Sequence, residues 1–232
     1  VYFRYLSFLL LWPSALIAGP HLCEAVNPNN NPVGSVEACS ELLEDNDLSI
    51  EVRAAALSDR GIAYRELRRF EQSAQDLTDS LALVRDTSTM RMLAWTYREM
   101  GQPVDAEAMY SEILTTDTHW QGWLSRCVVR QDLERFEGAL EDCLKALSQV
   151  EDNEDVLFFT ARAYNFLGQP EDALLLAEKA ISVEPDSPRH LVEQAWALHL
   201  MGRSEFARDL ARLGLRRFNG DSGLLSFLED TK

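Results

Sequence analysis

The sequence contains no Gly-x-Ser-x-Gly turn, no phosphate-cradling glycine loop ending in Lys-Ser or Lys-Thr, and no Gly-x-Gly-x-x-Gly run. Hydrolases of the nucleophile-elbow type, P-loop enzymes and dinucleotide-binding enzymes are thereby excluded. None of its 4 cysteines forms a Cys-x-x-Cys pair, which argues against a zinc ribbon and a thioredoxin-like redox centre. Of the histidines His21, His119, His190 and His199, only His190 with Glu193 has the spacing to share one helix face. A metal needs three or four convergent ligands, so neither metal nor cofactor is expected. Glycine (11) and proline (8) are scarce in 232 residues, which favours helices over turn-rich β architecture. Basic residues are outnumbered 38 to 22, and the formal charge of -16 repels phosphate backbones, so nucleic acid is not an expected partner. Such acidity equally suits solvated helix faces and selects no partner by itself.

Long apolar runs are also missing, apart from Leu6 to Ile17, which follows Arg4, is broken by Pro13 and precedes small residues. This reads as a secretory leader over residues 1–25, too short for a comfortable membrane span. Ala25, with Cys23 two residues before it, offers the better cleavage point, and Ala18 or Gly19 a poorer one. An uncleaved anchor in the inner membrane is the minority alternative. Pro20, His21 and Leu22 before Cys23 lack the small pair of a lipobox, so no lipid anchor is expected. The mature chain is expected to be periplasmic or secreted, without stable membrane insertion.

After the leader, Asn27 to Pro32 reads as a tether, and Ala38 to Leu43 as one face of a helix, together filling residues 26–53. Beyond it a unit repeats. Ser73, Ala106, Ala139, Ala173 and Ala207 are spaced 33, 33, 34 and 34 residues apart. Tyr64, Tyr97, Arg130, Tyr164 and Leu198 keep the same spacings, with Gly61, Ala94, Cys127, Ala161 and Ala195 three residues ahead of them. Three units place a helix stop and restart in phase, at Gly101-Gln102-Pro103, Gly168-Gln169-Pro170 and Gly202-Arg203-Ser204. Each unit is therefore two antiparallel helices, and five units fill residues 54–221, followed by a capping helix and tail at 222–232.

These residues resemble the tetratricopeptide-repeat family, whose pattern runs Leu-Gly-x-x-Tyr, then Ala-x-x-x-Phe, then Pro. The fourth unit fits with Ala161, Tyr164, Leu167, Gly168, Ala173, Ala180 and Pro185; the third departs, with Arg126 and Arg130 where an apolar residue and a tyrosine are expected, which puts its packing in question. Ala38-Cys39-Ser40 and Arg60-Gly61-Ile62-Ala63-Tyr64 resemble exported bacterial members. The resemblance implies an all-α, right-handed superhelix of antiparallel helix pairs, about five repeats with an N-terminal half repeat and a C-terminal capping helix. It implies a non-enzymatic adaptor or scaffold of the bacterial cell envelope that binds a peptide or helix in a concave groove. The alternatives are a structural subunit using its convex face or ends, and a signal-anchored membrane protein.

In this family the groove is lined by first-helix residues at i, i+4, i+7 and i+8. The candidates are Arg65 in the first unit, Arg91, Trp95 and Arg98 in the second, Phe158, Arg162, Asn165 and Phe166 in the fourth, and Trp196 and His199 in the fifth. Aromatic and arginine residues are the types enriched in interfaces, although Trp95 and Trp196 would equally suit burial between units. Arg91, Arg98 and Arg162 are expected to form a positive lining for an acidic partner. Ser58 and Ile62 stand where some members place Lys and Asn to clamp a terminal carboxylate, so that clamp is not implied.

Cys127 and Cys143 sit on the two helices of the third unit, nearly equidistant from the turn, and suit a disulfide contributing about 3 kcal/mol, or equally two buried thiols. Cys23 and Cys39 could form a second pair only if the leader is cut before Cys23, whereas cleavage after Ala25 would leave Cys39 alone.

Overall fold

A computed structural model describes residue 23 and residues 27–232; the expected leader and its cleavage point otherwise lie outside the described residues. Among the described residues there are twelve α-helices and no strand. Helix α1 (Pro32–Leu43) precedes five pairs: α2 (Ile50–Glu66) with α3 (Phe70–Leu83), α4 (Thr87–Glu99) with α5 (Pro103–Ile113), α6 (Trp120–Asp132) with α7 (Phe136–Leu147), α8 (Glu154–Phe166) with α9 (Pro170–Val183), and α10 (Pro188–Leu200) with α11 (Ser204–Arg217). Helix α12 (Ser222–Asp230) closes the stack. No described helix is long and apolar enough to cross a membrane.

Five of the twelve helices begin where a side chain satisfies a first-turn N–H group, with Asn31, Ser49, Asp86, Asn153 and Asp221 each accepting such a bond. Every first helix ends in one motif. Arg69, Gln102, Arg135, Gln169 and Arg203 each donate a backbone N–H to the carbonyl five residues back, at Tyr64, Tyr97, Arg130, Tyr164 and Leu198. The residue before each donor must adopt a left-handed conformation. Gly101, Gly168 and Gly202 do so with φ of 71°, 67° and 79°, and at the same register Arg68 and Glu134 are forced to 58° and 56°. All five units therefore turn alike, although the sequence marks only three of them with glycine.

In each unit one residue of the first helix and one of the second, 16 apart in sequence, occupy equivalent buried places. At Gly61 a Cβ would stand 2.8 Å from Leu77 Cγ, so only glycine fits. The matching pairs are Ala94 with Tyr110, Cys127 with Cys143, Ala161 with Ala177, and Ala195 with Ala211, all buried. In the third unit this pair is a disulfide, with Cα atoms 5.4 Å apart. A second disulfide joins Cys23 to Cys39, and both sulfurs pack beside Ala56, Leu42 and Leu43. This corrects the expectation that Cys39 stands alone. A cut after Ala25 would leave the leader tied to the chain through that bond.

The doubt over the third unit is also resolved. Arg126 donates two bonds to Asp142, at 2.7 and 2.8 Å, and one to Ser111 Oγ. Arg130 donates to Asp142, to the Gly138 carbonyl and to Glu107, a residue of the preceding unit that also pairs with Arg135. The first unit repeats the device, with Arg60 donating twice to Asp76 and once to Ser40. The corresponding positions elsewhere hold Leu93 and Met109, Thr160 and Leu176, and Gln194 and Leu210. Burial of charge is tolerated because every charged group finds partners.

Consecutive units stack through adjoining helices, and the first helices α2 and α4, α6 and α8, and α8 and α10 also touch one another. No pair of second helices makes comparable contact among the described residues, which places the first helices on the inner side of the curve. The inner stack ends at α12, where Leu224 and Phe227 are buried against α10 and α11.

Two stability outcomes follow from this construction. Replacing Glu134 by glycine relieves a left-handed side chain and is expected to raise stability by up to about 1 kcal/mol in urea unfolding. Asp142→Ala leaves the Arg126 charge without a carboxylate and removes one of the partners of Arg130, and is expected to cost about 3 kcal/mol in the same assay, whereas an exposed Asp209→Ala control changes little.

Candidate functional site

The inner face of the first helices carries one column of residues that changes character along the chain: Glu66, Glu99, Asp132, Phe166 and Leu200, spaced 33, 33, 34 and 34. In the first three units this column supplies carboxylates. Arg65 donates to Glu66 and stacks 4.5 Å over the Trp95 ring, and Arg98 donates to Asp132 at 2.5 Å and faces Glu99 at 3.8 Å. Arg91 pairs with Asp117 at 3.1 Å. The positive lining expected from Arg91 and Arg98 is thus neutralised by the chain itself. Trp95 is 46% exposed, so it is not buried between units.

In the last two units the column turns apolar and a cavity of about 630 Å³ opens. Helix α8 brings Phe158, Arg162, Asn165 and Phe166 to it, α10 brings Val192, Trp196 and Leu200, and α12 contributes Phe227. Spacings of 4, 7 and 8 put the α8 set on one face. Trp196 stands edge-on to Phe227, with centroids 5.0 Å apart, and His199 lies beside both rings without lining the cavity. Five of the ten sequence-derived groove residues, Phe158, Arg162, Asn165, Phe166 and Trp196, therefore meet in one place. Arg65, Arg91, Trp95, Arg98 and His199 lie outside it. Arg162, whose guanidinium is 5.5 Å from the Phe166 ring centre, is the groove arginine that forms no ion pair among the described residues.

Several lining residues were not singled out from the sequence, namely Arg189, and Asp221, Ser222, Gly223, Ser226 and Phe227 at the end of the chain, while Glu193 was noted only as a helix-face neighbour of His190. Glu193 is the most unusual. Its carboxyl is buried and receives one hydrogen bond, from Asn165 Nδ2 to Oε2 at 2.9 Å, while the same amide donates to the Glu193 carbonyl. Asn165 Oδ1 is buried without a donor. Burial pushes the Glu193 pKa up to about 7, against the opposing influence of the Asn165 bond and of Arg162. The sequence signal for it was its place one turn after Arg189 and three residues before Trp196.

His190 and Glu193 do not converge. His190 Nε2 lies 3.0 Å from Glu154, which Arg189 also engages together with Asp155. Burial and then Arg189 lower the His190 pKa. No group of three metal-binding side chains exists among the described residues. Inside the cavity the hydroxyls are those of Ser222 and Ser226, and no histidine lines it.

The tetratricopeptide-repeat family model matches residues 160–222, the segment that holds most of this cavity. The fold is that of a tetratricopeptide-repeat solenoid. It superimposes on a tetratricopeptide-repeat protein from Parabacteroides merdae with a TM-score of 0.78 at 16% identity, covering 90% of this chain and 82% of that one. YrrB, described as a tetratricopeptide-repeat protein with an unusual peptide-binding site, gives 0.65 at 14% identity over 82% of this chain and 97% of its own. MamA gives 0.63 at 19% identity over 71% and 91%. No curated protein matches the sequence. At these identities the likeness concerns the solenoid itself.

Glu193 also gives the solenoid a measurable pH dependence. A carboxyl with an ordinary pKa of 4.5 when unfolded and about 7 when folded keeps its proton longer in the native state. Its contribution is therefore fully favourable below pH 4.5 and is lost as pH rises towards 7. Glu193→Gln is expected to be more stable than the parent by about 2 kcal/mol at pH 8 and indistinguishable at pH 4, read from urea midpoints.

Proposed function

We propose that this solenoid is a non-enzymatic scaffold of the bacterial cell envelope, exported to the periplasm or secreted, which holds a peptide or helix of another protein along its first helices. The observation that carries the reading is the cavity between α8, α10 and α12: apolar walls left uncovered, with Phe166 half exposed, around an arginine with no carboxylate of its own. Solenoids of this kind commonly present an extended concave surface to partners. That YrrB is described as having a peptide-binding site supports peptide recognition by such a scaffold. An acidic partner segment suits Arg162, the one candidate arginine not already paired. Export is supported by the leader-like N-terminus and by two disulfides, which persist in oxidising compartments.

A second reading rests on the second helices, where Leu175, Phe206 and Leu213 are 66%, 55% and 60% exposed. Those side chains suit a structural subunit that makes its contacts on the outer face.

The two readings separate in one capture experiment with envelope extract from the native host. Arg162→Glu with Trp196→Ala is expected to lose the partner while keeping its helical circular dichroism, and Arg98→Glu with Trp95→Ala to retain it. Loss only on Leu175→Ser with Leu213→Ser would move the contact to the outer face.

A further inference from the structure

The cavity floor pairs two groups whose chemistry is incomplete. Glu193 Oε2 takes its one side-chain hydrogen bond from Asn165, and Oε1 has no partner among the described residues. Arg162, on the facing helix, reaches no carboxylate. If Glu193 were ionised, it would be a buried charge without an ion pair, an arrangement that costs far more than a protonated carboxyl. A protonated Glu193 is instead a hydrogen-bond donor beside a guanidinium. Two donors of this kind, one charged and one neutral, form the complement of a single carboxylate. Asn165 Oδ1, buried without a donor, supplies the acceptor that a main-chain N–H of the same ligand would satisfy.

We propose that this pocket holds a partner segment in which a carboxylate side chain, Asp or Glu, adjoins a bulky apolar residue, the carboxylate being shared between Arg162 and protonated Glu193. The inference rests on the groove-binding reading above and deepens it. The apolar residue packs among Phe158, Val192, Trp196 and Phe227, and the carboxylate lies at the Arg162 edge. When the segment binds, the pocket takes up from solvent the proton that an ionised Glu193 lacks, on average about half a proton at neutrality and nearly one at pH 8, because an ionised Glu193 would repel the segment. Glu193 is near half-protonated at neutrality, its pKa being raised to about 7, so the cost of that proton is small there and grows as pH rises.

The other charges around the pocket do not supply this switch. From α8 only Arg162 faces Glu193 with charge; on α10 itself, Arg189 is held by Glu154 and Asp155. At the start of α12 the Asp221 carboxylate accepts from the Leu224 N–H. Helices α9 and α11 contribute no residue to the lining. The formal charge of -16 opposes the approach of an acidic segment, so selection must come from contacts inside the cavity rather than from long-range attraction.

The test is isothermal titration of the full, disulfide-bonded protein at pH 6 and pH 8 with an acetylated, amidated peptide carrying Leu-Phe-Glu-Leu in an alanine-serine background. Counterparts with Gln or Lys in place of Glu serve as controls. For the parent protein the Glu peptide is expected to bind about tenfold more tightly at pH 6 than at pH 8, the ratio of protonated fractions for a group titrating near 7. Buffers of different ionisation enthalpy should report nearly one proton taken up at pH 8. Glu193→Gln, a permanent analogue of the protonated form, is expected to hold the low-pH affinity at both values, and Arg162→Gln to lose the preference for Glu over Gln. Affinity independent of pH, or tighter binding at pH 8, overturns the inference and leaves groove binding intact; preference for the Lys peptide overturns it in favour of a basic ligand. Failure of every peptide to bind either protein at either pH overturns the pocket as the binding site too.

Discussion

The structure depends on how closely two helices of one unit can approach. That distance is set by one pair of residues, 16 apart in sequence, at which Gly61 with Leu77, Ala94 with Tyr110, Cys127 with Cys143, Ala161 with Ala177 and Ala195 with Ala211 meet. Where one partner is large the other is glycine or alanine. In the third unit a covalent bond joins the pair. Because the pair recurs every 33 or 34 residues, the same approach is made five times, and the stacking of units and the alignment of first helices along one side follow from it. No single core exists; burial is distributed over successive small clusters, each shared by neighbouring helices.

The location of the cavity follows from one column of that repeat. Glu66, Glu99 and Asp132 occupy the inner face where Phe166 and Leu200 stand later. In the first part of the chain arginines and carboxylates on this face satisfy one another, and such exposed pairs contribute little while removing charge that a ligand might use. In the last part, apolar residues replace the acids and the arginine between them is left without an internal partner. The recognition chemistry is thus displaced to the C-terminal end, even though arginine and tryptophan occur on the same face throughout.

Much of this was legible in the sequence, because a repeat shows itself by coincidence of several residue series and not by any single motif. The helix pairs and five of the cavity residues could be read from those series. Other features were hidden for physical reasons. The turns at Arg68 and Glu134 form without glycine, closed by the same backbone hydrogen bonds as the glycine turns. Arg126 and Arg130 look misplaced until Asp142 and Glu107 are seen beside them, and those partners lie on other helices. Glu193 stands out in the sequence only by its spacing from His190, and packing alone reveals that it is buried. The contribution of α12 depends on how the last helix folds back across α10, which no local pattern specifies.

The disulfide in the third unit has a consequence for how the stack comes apart. A solenoid held by nearest-neighbour contacts ordinarily unzips from its ends, each lost unit exposing the next. Cys127 and Cys143 keep the two helices of the middle unit joined, and Glu107 ties that unit to the one before it. Loss of order beginning at α12 would therefore reach, at α6 and α7, a helix pair that is covalently joined, while the cavity lies on the C-terminal side of that bond, in units that carry no disulfide among the described residues.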